Sequence, residues 1–330
     1  MSQIKDQSIE TLRGIAIIFM VAGHVIGGDL ISETPYEENP AYSYFYYSFK
    51  YLRMPLFATI SGFVYAIRPA EKSKVASFLE GKLRRIFLPF VSASTISYLI
   101  RVFMPNINNP VNLSDIWKIY IFPYDHFWFL QSIILIFITI FILDANGMLK
   151  APSRWLICLA GASIVMVFVP RFTEFFSFGG YIYLLPFFIL GCGFNRFQNY
   201  IFKPAVILTT VIVFALGVTI QQLIWFDYFS LKFYSNNLLS LCIGISGTTL
   251  LFRFRKPFKP LAWIGFFSYA IYLFHGFGCA LRNIVLRNLE VSNLEVLFIS
   301  GLILGLFVPV LFEVISQRFF ILRRLFLGLK

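Results

Sequence analysis

Apolar segments about twenty residues long recur from one end of this chain to the other, and such a chain has few folds open to it. A helix of that length crosses the roughly 30 Å hydrocarbon core of a bilayer, and it satisfies its own backbone polar groups, as lipid requires. Ten segments can be drawn, at residues 9–28, 43–67, 84–104, 127–145, 153–170, 180–195, 202–223, 236–252, 261–284 and 295–320. The sixth is short, and a tilted or partly re-entrant course is expected for it. Only 13% of the chain is charged while 58% is hydrophobic, too little polar surface for a water-soluble globule. The expected fold is all-α: a polytopic membrane protein of about ten transmembrane helices, built as one domain over residues 1–330, with no internal repeat and no low-complexity linker.

Charge orients the bundle. The net charge of +12 invites a nucleic-acid reading, but the basic residues cluster in short loops between spans, as the positive-inside rule requires. The bilayer is therefore the expected partner, and nucleic acid is not. With a cytoplasmic N-terminus, the loop carrying Arg68, Lys72, Lys74, Lys82, Arg84 and Arg85 lies inside, against only Glu71 and Glu80. Arg253, Arg255, Lys256 and Lys259 fall on the same side, as do Arg318, Arg323, Arg324 and Lys330. The opposite side receives Asp29, Glu33, Glu37 and Glu38 in one loop. An even number of spans and two cytoplasmic termini follow. The segment before the first span is short and mixed in charge, and no small-residue cleavage site follows that span, so it reads as a retained helix and not a signal peptide. Cys158, Cys192, Cys242 and Cys279 all fall inside apolar spans without metal-ligand spacing; neither disulfides nor a metal site is expected.

The first span carries an unusual polar stripe. His24 follows Arg13 by eleven residues, a rotation about 20° past three full helical turns, which puts both on one face about 16 Å apart along the axis. Glu10, three residues before Arg13, shares that face. Lipid would charge about 2.5–3.5 kcal/mol or more for each central ionised group, so the stripe should face the bundle interior or a wet cavity. An isolated histidine in such a place reads as a hydrogen-bonded core residue, and Glu10 with Arg13 as an interface pair. A second polar group lies at the start of the third span, where Lys82 and Arg85 stand three apart, at a spacing that shares a helix face and can clamp a phosphate. A plain positive-inside anchor explains them equally.

Taken together, these segments resemble the acyltransferase family 3 membrane proteins. That family's hallmark is an arginine or lysine, ten residues, then a histidine in the first helix. Arg13 and His24 match it, within Thr11-Leu12-Arg13-Gly14-Ile15-Ala16. Its basic-x-x-Arg motif before the third span is matched by Lys82 and Arg85, with lysine where arginine is more usual. Met54-Pro55-Leu56-Phe57-Ala58-Thr59-Ile60-Ser61-Gly62-Phe63, Phe127-Trp128-Phe129-Leu130, Leu185-Pro186-Phe187-Phe188-Ile189-Leu190-Gly191 and Ser268-Tyr269-Ala270-Ile271-Tyr272-Leu273-Phe274-His275 resemble further family segments, in the family's order.

The resemblance implies a multi-pass enzyme of the bacterial inner membrane that moves an acyl group, usually acetyl, from cytoplasmic acyl-CoA to a hydroxyl on a polysaccharide, glycolipid or other cell-envelope acceptor. The chain ends soon after its last span, as expected of a version without an added extracytoplasmic domain. Acyl-CoA enters as donor substrate, and no bound cofactor is expected. The chemistry of the residues is compatible. A sugar hydroxyl is a poor nucleophile, and a neutral imidazole within hydrogen-bond reach can take its proton as it attacks the thioester. His24 is the expected base. Lys82 and Arg85, with Arg84 beside them, are expected to meet the CoA phosphates. Arg13 is placed to hold a phosphate or to orient the donor arm, and Glu10 to fix Arg13. Direct transfer is favoured over an acyl-histidine intermediate.

Arg53, inside the second span, needs a polar partner; it either lines the site or pairs with an acid such as Glu313 in the tenth span. Ser61-Gly62 reads as a close-packing point and not a nucleophile, and no Gly-x-Ser-x-Gly elbow is present. His126 and Trp128, at the outer border of the fourth span, are candidates for contacting the acceptor, although an interfacial aromatic belt explains Trp128 too. His275 reads as a packed helix histidine. A competing class is a transporter or flippase for a lipid-linked sugar or small solute, which intramembrane Arg, His and Glu would suit; the lack of inverted repeats and paired broken helices weighs against it.

Overall fold

The computed structural model describes residues 6–27, 36, 39–103, 111–169, 174–229 and 235–329. Asp29, Glu33, Glu37, Glu38 and Lys330 lie outside the described residues. All regular structure within them is helical. Among the described residues, seven helical stretches are long and apolar enough to cross a membrane: Gln7–Gly27, Lys72–Phe103, Leu113–Ala145, Phe175–Arg196, Pro204–Trp225, Ser268–Leu286 and Leu294–Ser316. Two shorter apolar helices, Pro152–Phe168 and Leu238–Arg253, accompany them. The chain is thus an all-α polytopic membrane protein.

Helix α1 (Gln7–Gly27) is the most enclosed of the seven. Its first turn is capped by Asp6, whose carboxylate accepts from both the backbone N–H and the hydroxyl of Ser8, satisfying donors that the helix itself cannot. The second expected span is two helices, α2 (Pro40–Ser48) and α3 (Lys50–Ile67), with Phe49 (φ −101°, ψ 3°) at the break. Asn39 caps α2, accepting from the Ala41 N–H, and Pro40 takes the first position, where its missing N–H costs nothing.

The third span starts earlier than expected. Helix α4 (Val75–Lys82) passes through a π-helical turn, Leu83–Phe87, into α5 (Leu88–Phe103). Pro89 explains the widened turn. It has no N–H for the carbonyl four residues back, and its ring crowds that carbonyl. The carbonyl belongs to Arg85, and it accepts the Tyr269 hydroxyl instead, at 2.7 Å.

The short α6 (Lys118–Ile121) and the 3-10 turn Asp125–Phe127 lead into α7 (Trp128–Ala145), followed by α8 (Pro152–Phe168). The sixth span corrects the expectation of a short or re-entrant segment. Helix α9 (Phe178–Arg196), with the 3-10 turn before it, has full crossing length and is buried deep in the bundle. It crosses α3 with the backbones in contact. A Cβ on Gly62 would lie 2.0 Å from the Phe188 carbonyl oxygen, and one on Gly191 would lie 2.0 Å from that of Thr59. Small residues at these two positions are what permit the crossing.

Helices α10 (Gln198–Ile201), α11 (Pro204–Trp225) and α12 (Leu238–Arg253) follow. The ninth expected span divides at Phe267 into α13 (Lys259–Phe266) and α14 (Ser268–Asn288). Helix α15 (Leu294–Ser316) completes the spans, and α16 (Phe320–Leu327) turns back onto α5, where the Leu325 carbonyl accepts from Ser92 Oγ at 2.6 Å.

Contacts between segments gather the basic loops at one end of the bundle. Arg255 Nε donates to Ser8 Oγ and the Phe258 N–H to Thr11 Oγ1, joining the α12–α13 loop to the start of α1. Arg84 donates to the Gly328 carbonyl after α16. This is the basic end of the bundle, and the opposite one is the far end. Helix α1 packs against α3, α13, α14 and α15, so its polar stripe faces protein.

Candidate active site

All three histidines of the chain meet in the far half of the bundle. His24 comes from the last turn of α1, His126 from the 3-10 turn before α7, and His275 from α14. Their ring centroids are 4.5 Å apart for His126 and His275, 4.8 Å for His24 and His275, and 6.0 Å for His24 and His126. His24 and His126 are partly exposed, whereas His275 is fully buried.

The ring nitrogens are committed unequally. His275 Nδ1 lies 3.1 Å from the Ile271 carbonyl and 3.0 Å from that of Tyr272. A carbonyl only accepts, so Nδ1 carries the proton. His275 Nε2 is buried without a hydrogen-bond partner. His126 Nε2 lies 3.3 Å from the Leu273 carbonyl and by the same rule is a donor. The Tyr272 hydroxyl donates to the His126 carbonyl, so α14 holds the His126 turn by both backbone and side chain. Arg101 pairs with Asp125 at 3.1 Å, fixing the preceding residue, which has a positive φ of 42°.

Arg53 joins this group from α3. A Cβ on Gly23 would lie 1.5 Å from Arg53 Nη1, so the guanidinium occupies the space that glycine leaves beside His24. Its other face is covered by the Tyr46 ring, 4.4 Å away, a cation–π contact. The suggested Arg53–Glu313 pair does not form. Val21 of α1 abuts Gly305 of α15, and Val25 abuts Gly301, so the two helices run antiparallel. Glu313 therefore sits toward the basic end, where it accepts from Gln317 Nε2 at 3.2 Å.

At the basic end, Arg13 Nη1 and Glu10 Oε1 form an ion pair at 2.9 Å, with Glu10 buried. Helix α13 lies directly against this stretch. A Cβ on Gly14 would lie 2.0 Å from the Leu261 carbonyl oxygen, and one on Gly265 would lie 1.8 Å from that of Glu10. Lys82 is half-buried with its Nζ 3.4 Å from the Phe137 ring centroid, while Arg85 is exposed beyond the start of the π turn. Arg84 is committed to Gly328 at 2.6 Å. A polar cleft of about 580 Å³ opens at the same end, lined among others by Ser8, Gln198, Arg253 and Arg255.

Residues 6–315 match the family described as an acyltransferase domain. The chain belongs to this acyltransferase family. No curated protein and no solved structure matches the chain.

The Trp128 ring fills the space above Gly180 of α9, where a Cβ would meet it at 2.6 Å. Ser61 Oγ donates to the Phe57 carbonyl within its own helix. Among the described residues, no group of three His, Cys, Asp or Glu side chains is arranged to hold a metal ion.

Two features escaped the sequence reading. Arg282, two turns after His275 and therefore on the same face of α14, is only 4% exposed and abuts Gly301. Asp144 on α7 accepts from Nη1 and Nη2 of Arg196, at 2.7 and 2.8 Å, and from the Tyr65 hydroxyl at 3.0 Å, tying α7, α9 and α3 together near the basic end. The signal for His275 was its rarity: one of three histidines, in an apolar span. Asp144 and Arg196 were legible as span-end charges but carried no spacing that paired them.

Proposed function

We propose that this acyltransferase is an O-acyltransferase, with acetyl the first-choice group, that uses acyl-CoA arriving at the basic end. That end is the cytoplasmic side of a bacterial inner membrane and carries both termini. The acceptor is a hydroxyl of an exported polysaccharide or glycolipid, reached from the far end. The observation that carries this reading is the meeting of His24 with the other two histidines in the far half of the membrane bundle. The same helix carries the Arg13–Glu10 ion pair at the basic end.

His24 is the base. As the acceptor oxygen attacks the thioester carbonyl, its proton passes to the free nitrogen of the neutral His24 ring. The new O–C bond forms and the C–S bond breaks. The thiolate leaves and takes up the proton that His24 holds. Arg13, kept in place by Glu10, steers the donor along α1 toward His24. Lys82 and Arg85 meet the phosphates, and Arg53, with His126, faces the acceptor. Transfer is direct.

The test is a purified preparation given labelled acetyl-CoA and envelope glycan, with mass spectrometry of that glycan from cells with and without the protein. Label on the glycan that His24→Ala abolishes supports the reading. Full acylation by that variant sinks His24 as base, and labelled acetyl trapped on His24 without acceptor overturns direct transfer. Solute movement across vesicles with no acyl transfer would favour a transporter.

A further inference from the structure

We propose that His275 is the positioning residue of His24: its Nε2 accepts the N–H of the His24 ring and so holds His24 with its other nitrogen free as a base. This rests on His24 being the base, as proposed above. A catalytic histidine needs a partner that fixes its tautomer, commonly a carboxylate or a carbonyl. No hydrogen-bonded carboxylate reaches His24 among the described residues.

The assignment follows by accounting for protons. A neutral imidazole carries one N–H. His275 spends its N–H on the carbonyls of Ile271 and Tyr272, so Nε2 must be an acceptor. That nitrogen is enclosed by protein and has no partner in the resting arrangement, an expensive state for a buried polar atom. It needs a donor. His126 has spent its own N–H on the Leu273 carbonyl, so what it presents to its neighbours is an acceptor, and two acceptors do not pair. Of the three histidines His24 remains, and its ring makes no other side-chain hydrogen bond among the described residues. Two imidazoles joined by an N–H···N bond have centroids about 5 Å apart, from a donor–acceptor distance of about 2.9 Å plus the two ring radii. The His24 and His275 centroids are 4.8 Å apart with the planes tilted by 46°, so a rotation of the partly exposed His24 ring closes the bond. The neighbour on the other side of His275 is Gly305, whose missing side chain leaves α15 close against the His275 carbonyl and Cys279. His275 is therefore boxed in and His24 is the ring free to turn.

The chain has only three histidines, so ¹⁵N-histidine labelling of the intact protein in detergent or nanodiscs reads every ring. The expected spectrum shows His275 protonated at Nδ1 and bare at Nε2, with a coupling across the hydrogen bond to a His24 nitrogen. A proton on His275 Nε2, or a bare Nε2 coupled to no His24 nitrogen, overturns the proposal. The paired variants are His275→Asn, which keeps a donor near the Ile271 and Tyr272 carbonyls but has nothing at the Nε2 position, and His275→Gln, which restores an acceptor there. His275→Asn should lower kcat about 100-fold with KM for acetyl-CoA nearly unchanged, and His275→Gln should recover at least tenfold of that. Unchanged kcat in His275→Asn, equal losses in both variants, or a transfer activity that a chelator abolishes and zinc restores would each overturn it. The labelled spectrum needs no turnover. If wild-type protein shows the coupling but transfers no acyl group, it is the O-acyltransferase reading that fails, not the ring pairing.

Discussion

His24 and His275 stand 4.8 Å apart between ring centroids, although they come from the first helix and one of the last. If His24 is the base, His275 is no mere packing residue but the neighbour that holds it. Each of the other polar groups nearby then has a definable place relative to it.

Replacing His24 by Ala should leave a folded protein, because the ring is partly exposed and its loss opens no sealed cavity. Acyl transfer should fall by about 10²–10⁴, the usual contribution of a general base. The measurement is initial rate with labelled acetyl-CoA, alongside size-exclusion elution in detergent. An aggregated variant would assign His24 a structural role as well.

Gly23 separates the site from the scaffold. In Gly23→Ala the new Cβ would fall 1.5 Å from Arg53 Nη1. The obstacle is the end of a flexible side chain, so Arg53 swings off the Tyr46 ring and little stability is lost. If Arg53 faces the acceptor, the apparent KM for the acceptor rises and the KM for acyl-CoA does not. Gly62→Ala is the contrasting case, since its Cβ would meet the Phe188 carbonyl oxygen at 2.0 Å. The backbones must separate there, at a cost of about 1–3 kcal/mol, read as a lower melting temperature.

The helices were legible because lipid demands long apolar runs, and those runs are local in sequence. The breaks at Phe49 and Phe267 were not, because an aromatic residue carries no turn signal and each break is made by packing. The stripe from Glu10 through Arg13 to His24 was legible from helical rotation alone. The gathering of His126 and His275 around His24 depends on tertiary contacts between distant segments, which no spacing encodes. The Lys82–Arg85 spacing suggested a shared face; what it did not encode is that Lys82 rests on the Phe137 ring while Arg85 is exposed, in a π turn widened by Pro89.

Asp144 and Arg196 provide a stability test away from the site. The Asp144 side chain is 2% exposed and the Arg196 side chain 15%, so removing either partner strands a buried charge. Asp144→Ala should cost about 3–5 kcal/mol. The double variant Asp144→Leu with Arg196→Met should recover much of that loss, since no charge is left unpaired. Thermal denaturation in detergent checks both, and turnover per folded molecule should hold in the double variant. A double variant no more stable than Asp144→Ala would show that the helix junction depends on the ion pair itself.

The three basic residues before α5 should separate when changed one at a time. Arg85 is exposed and its side chain is free to reach a phosphate, so Arg85→Ala should raise KM for acyl-CoA several-fold with little change in melting temperature. Arg84 is bound to Gly328, so Arg84→Ala should release the end of α16 and appear first as protease sensitivity near the C-terminus, with KM little altered. Lys82 rests against the Phe137 ring and can serve a donor phosphate only by leaving it. Lys82→Met preserves the apolar stem that packs there, so it should hold stability while raising KM. A rise in KM confined to Arg253→Ala and Arg255→Ala, the arginines of the polar cleft at the same end, would move the donor's charged head to that cleft.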